Sequence, residues 1–388
     1  MGGGGRPVFR PWKSVCLFLG VLCAAALAAE PAHAQRSGPP MPNKPQLGSL
    51  GERINSNTIA IVSGNPNATY LTIAYDMSAV LDDGDEFRIL PVIGKGGGQN
   101  IKDVRFLKGV DLGITQSNLM PYYKKTNELG YLDDKIVYIA KLFNEEMHLI
   151  VRADSGVASL ADLAGKKVNF SDAGSGTQLS TRDIFERLGI KPEEVNMGQA
   201  DAFEALKNGE IAATILIAGK PAGSMMKLKA ADGFRILPIA FDKPLQAEYL
   251  PATLTSEDYP GLIAPGEKVE TVAVGAVLIA FNWPKGTDRY RRIDKFVQAF
   301  FPKLAEFQKP PRHPKWREAN LAAVLPGWKR FEGAEEWLRN RDKVAGAERE
   351  QFGAFLAQRV SKPVALTSEE RDRLFQEFLS WTKARERH

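Results

Sequence analysis

The chain has 388 residues, of which 44% are apolar and 25% charged, with a formal net charge of +5. That is long and apolar enough for two or three packed domains, and it excludes a disordered or collagen-like chain. Both cysteines, Cys16 and Cys23, lie in the first 34 residues, so if that segment is removed the chain has no disulfide, thiolate metal site or thiol nucleophile.

Arg6, Arg10 and Lys13 form a basic start, Val15 to Ala29 is uncharged and apolar, and Ala32-His33-Ala34 is an A-x-A site. Residues 1–34 therefore read as a signal peptide cleaved after Ala34, with export to the periplasm. The apolar run of about 15 residues is short for a membrane span of roughly 20. Residues 35–57, rich in Pro, Gly, Ser and Asn, read as a flexible mature N-terminus. The basic excess is C-terminal, since residues 301–388 hold 18 Lys/Arg against 13 Asp/Glu. No recognition motif accompanies it, so nucleic acid is not an expected partner.

Strand and helix signals then alternate. Thr58 to Ser63 reads as a buried strand, Gly64 to Ala68 as a turn, and Thr69 to Leu81 as a helix. The plan repeats with a strand at Phe87 to Ile93, a turn at Gly94 to Gly98 and a helix from Gln99 to Leu107. A strand at Val110 to Thr115 and a short helix through Leu119, Tyr122 and Tyr123 follow. Ile136 to Leu142 and Met147 to Arg152 read as two strands parted by a polar turn, Asn144-Glu145-Glu146. Residues 58–153 form a first lobe on this reading, and 154–239 an inserted second lobe.

The second lobe is organised around Lys166 to Phe170, the small-residue turn Ser171 to Gly176, and a helix from Thr177 to Leu188. Short strands at Val195 to Met197, Ile211 to Ile217 and Phe234 to Ile239 alternate with helices at Gln199 to Lys207 and Ser224 to Ala231. The apolar run Val272 to Phe281 is too short to span a bilayer and reads as a strand within a return to the first lobe over 240–304. Residues 305–388 form a helical C-terminal extension, with helices near 331–359 and 368–384 expected to pack on the protein itself.

Catalytic signals are weak. His148 sits in an apolar strand, His313 in a proline loop and His388 at the end; no metal-ligand spacing and no Gly-x-Ser-x-Gly elbow occurs. No catalytic residue, metal or cofactor is expected. What the chain does carry is a set of neutral donors just past strand ends, where open α/β sheets bind ligands and where helix N-termini favour anions. The candidate ligand residues are Thr69, Tyr70, Gly98, Gln99, Asn100, Gln116, Ser117, Asn118, Ser175, Gly176, Thr177 and Gln178. Arg88, Arg152 and Lys220 are secondary candidates as carboxylate partners, and Lys95 as a charge near the cleft.

Over roughly 57–300 the chain resembles the TAXI family of extracytoplasmic solute receptors, the binding subunits of one class of tripartite ATP-independent periplasmic (TRAP) transporters. The resemblance is carried by Gly113-Ile114-Thr115-Gln116-Ser117-Asn118, by His148 to Val157 with Leu160 to Val168, by Gly174-Ser175-Gly176-Thr177 and by Ala205 to Ile211. It implies an α/β, two-lobed periplasmic binding protein (type II-like) that closes on a small organic anion or amino acid and delivers it, as a monomer, to integral membrane TRAP permease subunits. It implies cleft positions for Gln116, Ser117, Ser175, Gly176, Thr177 and Tyr70. The first loop, Ser63 to Thr69, is bulkier than the family's glycine-rich one, and the acidic residue usual after Gln-Ser is here Asn118, which weakens the case for an ammonium-bearing ligand. The alternative reading is an exported ligand-sensing or interaction protein of the same fold, signalling to a membrane partner.

Overall fold

In the computed structural model the described residues are 47–359, 367, 373–376 and 378. The segment read as a signal peptide lies outside them. Three parallel strands, β1 (Thr58–Val62), β2 (Arg88–Val92) and β3 (Leu112–Gln116), start the first lobe. They alternate with α2 (Thr69–Leu81), α3 (Gly97–Phe106) and α4 (Leu119–Thr126), after a preceding helix α1 (Leu47–Ser56). The sheet order is β2-β1-β3-β10-β4-β7-β5-β6, where β4 (Ile136–Arg152) and β10 (Lys268–Phe281) are long antiparallel strands shared by two lobes. Beyond them the second lobe holds the parallel strands β5 (Lys167–Asn169), β6 (Glu193–Val195) and β7 (Ala213–Ala218), and the helices α5 (Gly176–Leu188) and α6 (Gln199–Lys207). Two further strands, β8 (Phe234–Leu237) and β9 (Leu250–Thr255), pair with β4 and β10. The fold is thus a two-lobed α/β periplasmic-binding-protein-like one, with a helical C-terminal extension.

Each half-sheet is covered on both faces. In the first lobe Ile73, Ala74, Met77 and Leu81 of α2 recur at helical spacing against Ile59, Ile61 and Ile89, while Ile101 and Val104 of α3 cover the other face. In the second, Ile184 and Phe185 of α5 lie on one face and Ala202 and Leu206 of α6 on the other. Burial on both faces explains why β10 is apolar almost throughout.

Several expectations change. Residues 144–146 are not a turn: β4 runs unbroken, because Glu145 and Glu146 find buried partners on distant elements. The chain returns to the first lobe through β10 rather than at 240, since Leu245, Tyr249, Leu254, Tyr259 and Ile263 pack in second-lobe cores. The segment 47–56, expected to be flexible, is the helix α1, and Thr58 ties to its end by donating to the Ile54 carbonyl. Ser224 to Ala231 forms only two short 3-10 turns, and β6 sits two residues earlier than expected.

The extension begins after α7 (Asp288–Phe300) and the short α8 (Leu304–Phe307), and includes α9 (Glu332–Arg359). Its Trp316, Phe331, Ala334 and Leu338 belong to the first-lobe core, with Trp316 wedged against Phe300 and Phe307. The Trp316 indole N–H donates to Asp76 of α2 at 2.9 Å. Most of the helix expected at 368–384 lies outside the described residues; 373–376 and 378 are helical, and Phe375 meets Phe352 edge-on while Phe378 meets it at a tilt.

Candidate functional site

The loops that leave the carboxyl ends of the parallel strands of both lobes face one another. They enclose a cavity of about 670 Å³, within the usual range for a small-molecule site. Its wall is built from the starts of four helices: Thr69 and Tyr70 of α2, Gly97 of α3, Gly176 and Thr177 of α5, and Gln199 and Ala200 of α6. At three of them the residue before the helix, Ala68, Gly96 or Gly198, provides no side-chain cap. Ser175 does cap α5, accepting from the Gln178 N–H at 3.1 Å. Four helix N-termini bring partial positive charge and first-turn N–H groups to one space.

That approach depends on small residues. A Cβ on Gly97 would lie 2.1 Å from the Gly176 Cα, and Gly97 itself has φ of +39°. Only glycine lets α3 and α5 meet end to end across the cleft. The lobes are joined there by the Gln99 N–H donating to the Gly174 carbonyl at 2.9 Å. Nearby, Asn65 donates to Asp172 at 3.1 Å and the Thr69 hydroxyl to the Gly219 carbonyl at 3.0 Å. Ser171, on the cavity wall, has φ of +68°, a conformation disfavoured for a residue with a side chain.

The candidate residues separate by place. Thr69, Tyr70, Gln116, Ser175, Gly176 and Thr177 line the cavity. The others build its walls. Gly98 is packed so tightly that a Cβ would meet Leu179 and the Tyr123 hydroxyl. The Gln99 side chain donates to Asp103 within its own helix. Asn100 is fully buried and donates to the Ser63 and Ile114 carbonyls at 2.7 Å, holding the ends of β1 and β3 together. The Ser117 N–H donates to the Gly275 carbonyl, and its own carbonyl accepts from Trp328 of the extension. Asn118 donates to Ser180 and Tyr249, an interlobe tie outside the cavity. Gln178 accepts from the Gly174 N–H and donates to Glu194, steadying the turn before α5.

Sequence reasoning missed the floor. Glu145 lies where β4 passes from one lobe to the other, is 3% exposed, and lines the cavity. The Tyr70 hydroxyl donates to it at 2.5 Å, and the Gln116 side chain also bonds it. Burial raises the Glu145 carboxyl to about 8 and outweighs those two bonds, which act to lower it. Burial likewise raises the Tyr70 phenol well above its ordinary value. Among the described residues no cation lies within salt-bridge distance of Glu145. Lys315, the nearby buried cation, is held by Glu146 at 2.5 Å and Glu318 at 2.7 Å. The only sequence signal for this floor was an acidic pair inside an apolar run. The second-lobe wall formed by Phe203, Leu216, Ile217 and Ala222 also went unrecognised, and it gives that side apolar character.

Of the secondary candidates, only Lys95 reaches the cavity, joined by Lys227. Lys220 pairs with Asp258, and Arg152 with Asp154. His148 is wholly buried, bonded to the Leu216 carbonyl and the Tyr259 hydroxyl. Among the described residues no cluster of three or more His, Cys, Asp or Glu is placed to hold a metal. The arrangement suits capture of a small polar solute between helix ends and a buried carboxyl.

The sequence pattern of the NMT1-like family matches residues 61–298. Solved structures similar to this chain include one described as a periplasmic transporter, at 18% identity over 76% of this chain and 97% of that one, with a TM-score of 0.45. A periplasmic sulfonate-binding protein of a putative sulfonate ABC transporter from Methylobacillus flagellatus KT is 14% identical, covering 70% of this chain and 75% of that one, with a TM-score of 0.40. The CcmR regulatory domain from Synechocystis PCC6803, in complex with 2-PG, is 13% identical over 63% and 96% of the two chains, with a TM-score of 0.38.

Proposed function

The chain belongs to the NMT1-like family, and on that premise we propose that it is a non-enzymatic solute-binding protein that closes its two lobes around one small organic anion. The observation that carries this reading is the convergence of four helix N-termini on one cavity, three of them without a side-chain cap. Thr69, Tyr70, Gln116, Ser175, Gly176 and Thr177 contact the solute. Binding favours closure because the solute touches both lobes only in the closed state. The basic and apolar pattern of residues 1–34 supports export, so the solute is met in the periplasm.

The closed form has two candidate readers, a membrane sensor and a TRAP permease. We place the sensor first. The extension reaches the strand on which the two lobes meet: Lys315 and Glu318 grip Glu146 and the Asn144 N–H beside the cavity floor. An element so placed carries lobe movement to a surface outside the cleft. Deleting the protein then abolishes a response to the solute and leaves its uptake intact; lost uptake returns the permease to first place.

Native mass spectrometry of the gently purified protein tests the solute reading. One small acid per chain is expected, released on denaturation. An empty chain, together with no thermal shift across a broad panel of carboxylates and amino acids, overturns it.

A further inference from the structure

We infer that Glu145, with Tyr70 and Gln116 behind it, is a subsite for a protonated amine on the solute, and that filling it expels a proton. This deepens the solute-binding reading and rests on it. The solute class is then an amine-bearing carboxylate, with its carboxylate toward the helix ends and its ammonium on the floor.

Once ionised, Glu145 carries charge that no cation among the described residues offsets at salt-bridge distance. Glu145 is buried and belongs to the cavity wall. An ionised carboxylate accepts about four hydrogen bonds. Tyr70 and Gln116 account for two, both neutral donors. A buried carboxylate satisfied only by neutral groups is costly until a cation joins it. Among the described residues none pairs with it. From the extension, Lys315 is committed to Glu146 and Glu318, and Lys220 to Asp258. Lys141 of β4 is half-buried toward Glu318 and Glu146, and its ammonium is disfavoured by burial. Lys95, Lys227 and Asp172 line the wall formed by the loops and the second lobe. The adjacent Glu146 adds repulsion and Lys315 a weaker attraction. Asn118, whose lack of charge argued against an ammonium, is tied to Ser180 and Tyr249 outside the cavity, so the position that matters is Glu145.

Burial keeps the solute-free carboxyl at about 8, so near neutral pH it holds its proton. An ammonium seats only against the ionised form. The carboxyl proton therefore passes to solvent as the ion pair forms, with no bond made or broken on the solute.

Titration calorimetry of the full mature chain near neutral pH, in buffers of different ionisation heat, reads this directly. The probes are the common L-amino acids and the 2-hydroxy acids of the same side chains. At least one amino acid is expected to bind with release of most of one proton. Its affinity rises by up to about tenfold per pH unit below the carboxyl's titration. The matched hydroxy acid binds on the order of 100-fold more weakly, and Glu145→Gln costs the amino acid a similar factor. A hydroxy acid that binds as well as the amino acid, without proton release, overturns the amine subsite and leaves the solute-binding reading standing. Failure of both probe sets overturns the amine subsite, and the solute-binding reading is then decided by native mass spectrometry and the broad panel. If Glu145→Gln does not fold, the proton balance and the paired probes on the unmodified chain still decide.

Discussion

Lys315 is 2% exposed and stands in a proline-rich stretch that reads as irregular in sequence. Its ammonium is neutralised by Glu146 and Glu318, and Glu146 also accepts from the Lys220 N–H at 3.0 Å. Burial raises the Glu146 carboxyl even with Lys315 in place, so Lys315 offsets only part of the desolvation cost. Lys315→Met keeps the side-chain volume and removes the charge. It is expected to destabilise the protein by about 3–5 kcal/mol, because Glu146 is left without its cation. The double variant Lys315→Met, Glu146→Gln should recover much of that loss. Urea denaturation of the two variants checks both statements. An unchanged midpoint in Lys315→Met would mean that the contact contributes nothing to holding the extension on β4.

At the scale of elements, the meeting of α3 and α5 is a tight contact between the lobes, and it rests on Gly97 facing Gly176. Gly97→Ala places a methyl where the other helix begins, at a backbone angle that disfavours it. The left-handed strain alone is roughly 1–2 kcal/mol and stays within the first lobe. The steric part acts only on closure. The variant is therefore expected to fold, to bind its solute at least about tenfold more weakly, and to show no contraction on solute addition in small-angle scattering. Undiminished affinity with normal contraction would refute this contact as part of the closed state. This turn-then-helix plan was legible because it is local: an apolar strand, a small-residue turn and a helix succeed one another at the starts of α2, α3 and α5. The cavity floor was not. Asn144-Glu145-Glu146 has the composition of a turn, and its partners lie far off in sequence, Tyr70 by 75 residues and Lys315 by 169. The start of α6 was placed in sequence without being recognised as wall, because Gly198 carries no side chain to mark a site. Asn100 and Gln178 resemble ligand donors in type and position, yet their amides serve the backbone and the neighbouring turn. Composition does not distinguish a donor aimed at a ligand from one aimed at a carbonyl.

For the whole molecule, the floor makes stability depend on pH. The Glu145 carboxyl is held at about 8 when folded against an ordinary value of 4.5, so the folded state keeps a proton that the unfolded state gives up. That stabilising contribution is complete below the ordinary value and is lost as pH rises through the folded one. His148 works in the opposite sense: buried and neutral, it titrates at about 4 instead of 6.5, and its contribution is lost as pH falls between those values. The two oppose each other in mild acid, and the His148 contribution levels off within about one pH unit above 6.5, where the imidazole is neutral in both states. In the solute-free protein the Glu145 term is therefore expected to decline by about 2 kcal/mol from pH ~6.5 to ~8. Glu146 is also raised by burial and adds to the slope in the same sense, so the measurement is a difference. Urea denaturation of the unmodified chain and of Glu145→Gln is compared at both pH values. Removing the titrating group should flatten the profile by that amount, and equal slopes would place the Glu145 proton elsewhere. The same linkage joins stability to capture: a bound amine that stabilises the ionised carboxyl removes the decline, so solute should protect the protein more at pH ~8 than at ~6.5.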